Sequence, residues 1–135
     1  MIQVLIQLQP KKRGFHLITN EVLKALPQFP QTGILHLFIQ HTSAGLCINE
    51  NADPTVLQDM NAWFDDNIKE NEPYYRHIYE GADDMPAHIK SVLTGTELNI
   101  PIVNGKLGLG TWQGIYLGEF RNQAVGRKII ATIIS

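Results

Sequence analysis

Apolar residues recur along the chain in two rhythms. Ile2, Val4, Ile6 and Leu8 alternate with Gln3 and Gln7, the period of a half-buried strand over 2–8. Pro10 and Gly14 close it. Thr19 or Asn20 offers an N-cap to a short helix that Pro27 ends. Ile34 to Ile39 is nearly continuous in apolar residues, which predicts a strand covered on both faces. A second short strand follows at Leu46–Asn49. Asp53-Pro54 is a helix start, with aspartate as cap and proline at the first helical position. From there to about Ile68, Val56, Leu57, Met60, Trp63 and Phe64 recur every three or four residues and predict one core-facing stripe.

Residues 70–83 carry Pro73, Gly81 and three tyrosines, and read as a loop longer than most. A second long helix passes through Ala87, Ile89, Val92 and Leu93, with Gly95 as its stop. Leu98, Ile100 and Ile102 alternate again, and Pro101 argues for an edge position or a strand end. Asn104-Gly105 is a strong hairpin signal. Thr111–Phe120 returns from it, and a last strand covers Arg127–Ile134. Six or seven strands with two or three helices in irregular alternation define an α+β fold, a compact, sheet-rich single domain over 1–135.

Composition narrows the function classes. The net charge is −2, and Lys11, Lys12 and Arg13 form the one basic run, so no basic face for nucleic acid is expected. Charged residues make up 18% of the chain, below the usual ~25%, which points to surface buried in an oligomer. A single cysteine, Cys47, rules out an intramolecular disulfide and fits a reducing compartment. No apolar run approaches the length of a membrane span, and the N-terminus lacks a signal-peptide pattern. The expectation is a soluble cytoplasmic protein with no membrane partner.

Candidate chemistry gathers in three stretches: 41–53, 80–90 and 108–120. His41 sits where a strand ends and a polar run begins, among Thr42, Ser43, Asn49 and Glu50. It either hydrogen-bonds a nearby carbonyl or supplies a metal bond or a proton. Glu50 or Glu119 could fix its tautomer. His36, inside its strand, reads as a core or interface histidine. Asp84 and His88 are four apart and share a helix face. With Asp83 beside them at the helix start, they are either capping carboxylates and one satisfied histidine, or part of a site. HExxH and CxxC are absent, so a metal site must be assembled from distant segments. Gly105, Gly108, Gly110 and Gly114 surround Trp112 and Gln113. They mark either bulges in crowded β-structure or backbone amides presented to phosphate oxygens. Trp112 either walls a pocket or packs in the core. Cys47, in an apolar strand context, reads as a buried, inert thiol. The three stretches are expected to fold onto one polar pocket.

The stretches HTSAGLCINENADPTV, YYRHIYEGADDMPAHIKS and GLGTWQGIYLGEF resemble the YjbQ family, over nearly the whole chain. The resemblance implies a compact, sheet-rich homotrimer. It also implies a weak, secondary thiamine-phosphate synthase activity, which joins a pyrimidine methyl diphosphate to a thiazole phosphate and releases pyrophosphate. By match, the pocket would comprise His41, Thr42, Ser43, Asn49 and Glu50, then His77, Asp84 and His88, then Gly110, Thr111, Trp112, Gln113 and Glu119. A divalent metal, zinc by the resemblance, would be held by His41, His77 and His88. Glu50, Asp84 and Glu119 would serve as orienting or proton-accepting carboxylates. Thr42, Ser43, Asn49 and residues 110–113 would contact a small phosphorylated ligand. Cys47 stands where the family commonly has a hydroxyl residue and Gly118 where it commonly has cysteine, so neither position is an essential metal ligand. The alternatives are a metal-dependent hydrolase of a small phosphate or amide, or a non-catalytic trimeric module that binds a small anion.

Overall fold

The computed structural model describes residues 1–135. The elements run β1 (Ile2–Gln7), β2 (Gly14–Leu17), α1 (Thr19–Ala25), β3 (Thr32–Ile39), β4 (Ala44–Glu50), α2 (Pro54–Asn67), α3 (Asp84–Thr94), β5 (Glu97–Val103), β6 (Lys106–Leu107), β7 (Gln113–Glu119) and β8 (Lys128–Ile134). Two antiparallel sheets form, one of five strands in the order β1-β8-β3-β5-β6 and one of three in the order β2-β7-β4. The fold is α+β, as the irregular alternation of elements predicts.

Alternation in the sequence becomes the core directly. Ile6, Leu35, Leu37, Ile39, Ile100, Ile102, Ile129, Ala131 and Ile133 point inward from the large sheet and meet Ala44, Leu46, Ile115 and Leu117 from the small one. Ile18 and Val22, flanking and within α1, complete this cluster. The outer face of the small sheet carries Phe15, Tyr116 and Phe120, which pack with Ala87 of α3 and with Leu57, Met60 and Phe64 of α2. The layers are therefore sheet, sheet, helices. Strand β7, sandwiched between core and helices, is buried from Gly114 to Glu119.

Local signals behaved as chemistry requires. The Asp53 carboxylate accepts from Thr55 N–H at 2.9 Å, with Pro54 at the first helical position of α2. Asn104 and Gly105 take φ of 52° and 76°, the left-handed pair a two-residue hairpin turn needs. Pro101 accepts from Gly108 N–H through its carbonyl, so its missing N–H faces the side where the two-residue β6 ends and no partner is needed.

Five expectations are corrected. Thr111–Phe120 does not return from the Asn104-Gly105 turn: the two-residue β6 does, and β7 lies in the other sheet between β2 and β4. Strand β3 is covered on one face only, and Ile34 and Phe38 remain exposed on the other. Trp63 lies outside the packed stripe of α2 and is 56% exposed, and no residue of that helix is fully buried. Thr19 does not cap α1; its hydroxyl accepts from Ile115 N–H and braces β7. Asp83 does not cap α3 with its side chain, because its carboxylate is held by Arg121 and by Asn122 N–H. No helix is long and apolar enough to cross a membrane.

Leu37 sits fully buried at the centre of the core. Leu37→Ala is expected to lower the unfolding free energy by about 2–5 kcal/mol, read from urea denaturation. A loss below about 0.5 kcal/mol, typical of surface positions, would contradict this packing.

Candidate functional site

Histidines 77 and 88 meet at one carboxylate. The loop between α2 and α3 delivers His77, and the first turns of α3 deliver Asp84 and His88, four residues apart on one face. His77 Nε2 lies 2.5 Å from Asp84 Oδ2, and His88 Nε2 lies 3.0 Å from the same oxygen. One donor atom from each of the three residues lies within 4.8 Å of the others, a group able to hold a metal ion. Asp84 is 2% exposed, whereas the imidazoles reach solvent.

Surrounding groups suit this donor set to a cation. His88 Nδ1 faces the Thr42 carbonyl at 2.8 Å and donates its N–H there, which directs Nε2 at the cluster, where it meets Asp84 Oδ2; an ion bound at Nε2 would take the place of the proton shared there. Burial alone would raise the Asp84 carboxyl. The hydrogen bond from His77, the charges of His88 and Arg121 and the hydrogen bond from His88 outweigh it and hold Asp84 below the usual carboxylate range. Two imidazoles and one ionised carboxylate, with an open side, are the donors expected of a three-ligand catalytic zinc site.

Arg121, just past β7, ties the cluster to the rest of the fold. Its Nη1 donates to Asp84 Oδ1 at 2.5 Å, its Nε to Asp83 Oδ2 at 2.8 Å and its Nη2 to the Glu80 carbonyl at 2.8 Å. Burial would raise Asp83 too, but Asn122 N–H and Arg121 pull it below its ordinary value. The Arg121 backbone N–H donates to Glu119 Oε2 at 3.1 Å. Glu119 is fully buried and forms a two-point ion pair with Arg127, at 2.7 Å and 2.5 Å. Arg127 also donates to the Ser43 carbonyl and hydroxyl, at 3.2 and 3.1 Å. Ser43 adjoins Thr42, whose carbonyl takes His88, so the polar chain closes on itself.

His41 stands apart from the cluster. Lys128 N–H donates to its Nε2 at 2.9 Å, and Arg127 Nη1 lies 3.3 Å from its Nδ1. A ring facing donors on both sides favours the neutral form. Burial first, then the charges of Arg127 and Lys128, lower its pKa against a weaker upward pull from Glu119. Asp84, not His41, is therefore the third member of the group with His77 and His88. His41 does share with His88 a cavity of about 400 Å³, lined also by Thr42, Ser91, Val92, Gly95 and Thr96. A larger open groove along α2, by Asp59, Trp63 and Asp66, includes no histidine.

The single pocket expected from three stretches does not form within one chain. Ala44 pairs with Glu119 at one end of the β4–β7 ladder, and Glu50 pairs with Gln113 at the other. Six residue steps of strand separate them, roughly 20 Å. Asn49, Glu50, Gly110, Thr111, Trp112 and Gln113 thus lie at the end remote from His88. The glycine amides there are engaged internally: Gly110 N–H donates to Gln113 Oε1 at 2.8 Å and Gly108 N–H to the Pro101 carbonyl at 2.7 Å. Trp112 is exposed rather than packed. Glu119 is committed to Arg127, and Ser43 binds that arginine. Burial pushes the Cys47 thiol up to about 11, in keeping with an inert role. Arg121 and Arg127 escaped the sequence reading. The tandem Asp83-Asp84 was the available signal, since two adjacent buried carboxylates demand a cation.

A two-sheet α+β domain carrying a His–Asp–His cluster at one end is the class these features define. Within that class, the chain belongs to the YjbQ-like UPF0047 family, whose model matches residues 4–135. It is 51% identical over 133 residues to the UPF0047 protein YjbQ of Escherichia coli O157:H7, covering 97% of this chain and 96% of that one. It is 41% identical over 117 residues to the UPF0047 protein YugU of Bacillus subtilis strain 168, covering 85% and 86%. Among solved structures, a conserved hypothetical protein of Thermus thermophilus superposes with a TM-score of 0.86 at 36% identity, covering 97% and 99% of the two chains. An uncharacterized YjbQ/UPF0047 protein of Clostridium acetobutylicum superposes with a TM-score of 0.79 at 38% identity, covering 99% and 100%.

His41 yields a pH test. The unfolded ring binds a proton near its ordinary value of about 6.5, and the folded ring only at lower pH. The unfolded chain therefore holds more protons in that interval. The stabilisation from a neutral His41 is complete above about pH 6.5 and is lost as pH falls through the folded value. Urea midpoints of the unaltered protein and His41→Gln, compared at about pH 7.5 and 5.5, should show a shallower acid loss in the variant. Equal losses would contradict the donor-lined setting of this ring.

Proposed function

We propose that this chain is a metal-assisted enzyme for a small phosphorylated substrate, with a weak or secondary thiamine-phosphate synthase activity. The observation that carries the reading is the convergence of His77 and His88 on one Asp84 oxygen, with His88 also lining a ligand-sized cavity. In the proposed reaction a carbon–nitrogen bond forms between the pyrimidine methylene and the thiazole ring as the bond to diphosphate breaks. Pyrophosphate leaves with the electron pair. A zinc-class ion at the cluster would supply fixed positive charge where the leaving diphosphate develops its own negative charge.

The chain's residues define the rest. Arg121 is paired with Asp83 and Asp84, and Arg127 with Glu119, so both arginine charges near the cluster are already balanced. Lys128, whose charge acts on His41, forms no salt bridge, so the protein itself offers an anionic ligand in this cavity little beyond that one lysine. Retention of phosphate should depend on the ion. His41, neutral and lining the same cavity, is placed to contact the organic part of the ligand or to take up a proton. Ser91 lines the cavity, but its hydroxyl donates to the Ala44 carbonyl and fixes α3 against β4.

A homotrimer completes the proposal. The outer face of the five-stranded sheet exposes Leu5, Ile34, Phe38, Val103 and Ile134, with Ile130 half-buried beside them. Most of these side chains form two apolar rows, Leu5–Ile130–Phe38 and Ile134–Ile34, on either side of the polar row Gln3–Thr132–His36–Asn99, and exposed apolar rows of this kind are suited to burial against further copies. Trimerisation would also allow the Glu50–Gln113 end of one subunit to approach the cluster of another.

Metal content of purified protein tests the central element. The unaltered protein is expected to retain about one zinc per chain, His41→Ala to keep it, and His88→Ala and Asp84→Asn to lose it. The loss should exceed the roughly 10- to 100-fold weakening typical of outer-partner changes. Pyrophosphate binding, followed by titration calorimetry, should vanish with a chelator. Retention of zinc in both ligand variants would overturn the site. Sedimentation of the unaltered protein as a monomer would overturn the trimer.

A further inference from the structure

The two oxygens of Asp84 have different partners. Oδ2 faces both imidazoles, at 2.5 and 3.0 Å, whereas Oδ1 accepts from Arg121 Nη1 at 2.5 Å. Arg121 is itself held at every guanidinium nitrogen, by Asp84, Asp83 and the Glu80 carbonyl, and its backbone N–H is held by Glu119. Its planar fork spans three acceptors at once, which the point charge of a lysine does not do. With Oδ1 pinned, the carboxylate cannot swing to offer both oxygens to the same ion. That distinction separates classes of cation. Zinc-class ions accept few ligands and suit imidazole nitrogen with one carboxylate oxygen. Larger or harder ions prefer more oxygen donors, and calcium often takes a carboxylate through both oxygens.

We infer that Arg121 is a positioning residue that makes Asp84 a one-oxygen ligand and thereby sets the cluster's preference for a small, four-coordinate cation over oxygen-seeking ions such as Mn²⁺. This rests on the metal reading of the cluster. Arg121 acts through Asp84 and does not serve as a receptor for substrate phosphate, since Asp83 and Asp84 already balance its charge. Its position explains why two acidic residues stand in tandem at the start of α3. Asp83 fixes the guanidinium through Nε, and the guanidinium fixes Asp84 through Nη1.

The test uses the full chain stripped by a chelator and dialysed free of it, as the unaltered protein, Arg121→Gln and Arg121→Lys. Zn²⁺ and Mn²⁺ affinities are measured by titration calorimetry, and the Co²⁺ forms by visible absorption. The unaltered protein should show the intense bands of four-coordinate cobalt and a strong preference for zinc over manganese. In Arg121→Gln the zinc-to-manganese affinity ratio should fall about tenfold or more, and the cobalt bands should weaken several-fold as coordination expands. Arg121→Lys should behave alike, because charge alone does not hold the carboxylate plane, and it carries the test if the glutamine variant fails to fold. An unchanged ratio with an unchanged cobalt spectrum in a folded variant overturns this inference and leaves the metal site standing. Six-coordinate cobalt in the unaltered protein also overturns it. Failure of the unaltered protein to bind any of the three ions overturns the metal reading and this inference together.

Discussion

A buried, ionised carboxylate is the constraint on which this end of the molecule depends. Asp84 is almost fully shielded from water, and a charge so placed is tolerated only when opposite charge and donors surround it. The chain supplies them from three separate segments: His77 from a loop, His88 from the next helical turn and Arg121 from beyond β7. Each also anchors its own segment. The loop is fixed through the Glu80 carbonyl, α3 through Thr42, and the end of β7 through Glu119 and Arg127. Removing one partner would strand charge elsewhere in the ring, so the assembly holds as a unit.

The two packed sheets make that rigidity possible. Register in the β4–β7 ladder places Ala44 opposite Glu119, and this brings Ser43 to Arg127 and Thr42 to His88. The inward parity that buries Ile115 and Leu117 also buries Glu119. A carboxylate thus lies where a core residue would, and Arg127, on the inward parity of Ile129 and Ala131, neutralises it. The pair forms the polar end of the hydrophobic core and the base of the candidate site.

Much of the fold was legible because its causes are local. The Asp53-Pro54 start, the Asn104-Gly105 turn and the alternation in β1 and β5 each need only a few neighbouring residues. Asp84 and His88 were legible as a pair because helical spacing brings them together. His77 lies in an irregular loop, and its approach to Asp84 depends on Arg121 holding that loop, which no spacing reveals. The expected single pocket failed for a related reason. Most of the motif from His41 to Glu50 is the strand β4, Ala44–Glu50, so its two ends cannot share a site within one chain. The expectation that β3 is covered on both faces failed because nothing within one chain covers Ile34 and Phe38.

The most direct test is anomalous diffraction from crystals of the full chain grown with zinc, recorded at the zinc edge. The account predicts one strong peak per subunit, about 2.0–2.2 Å from His77 Nε2, Asp84 Oδ2 and His88 Nε2, with Arg121 still on Oδ1. A peak on His41 or Cys47 instead, or no peak while the two imidazoles keep their hydrogen bonds to Asp84, would contradict it.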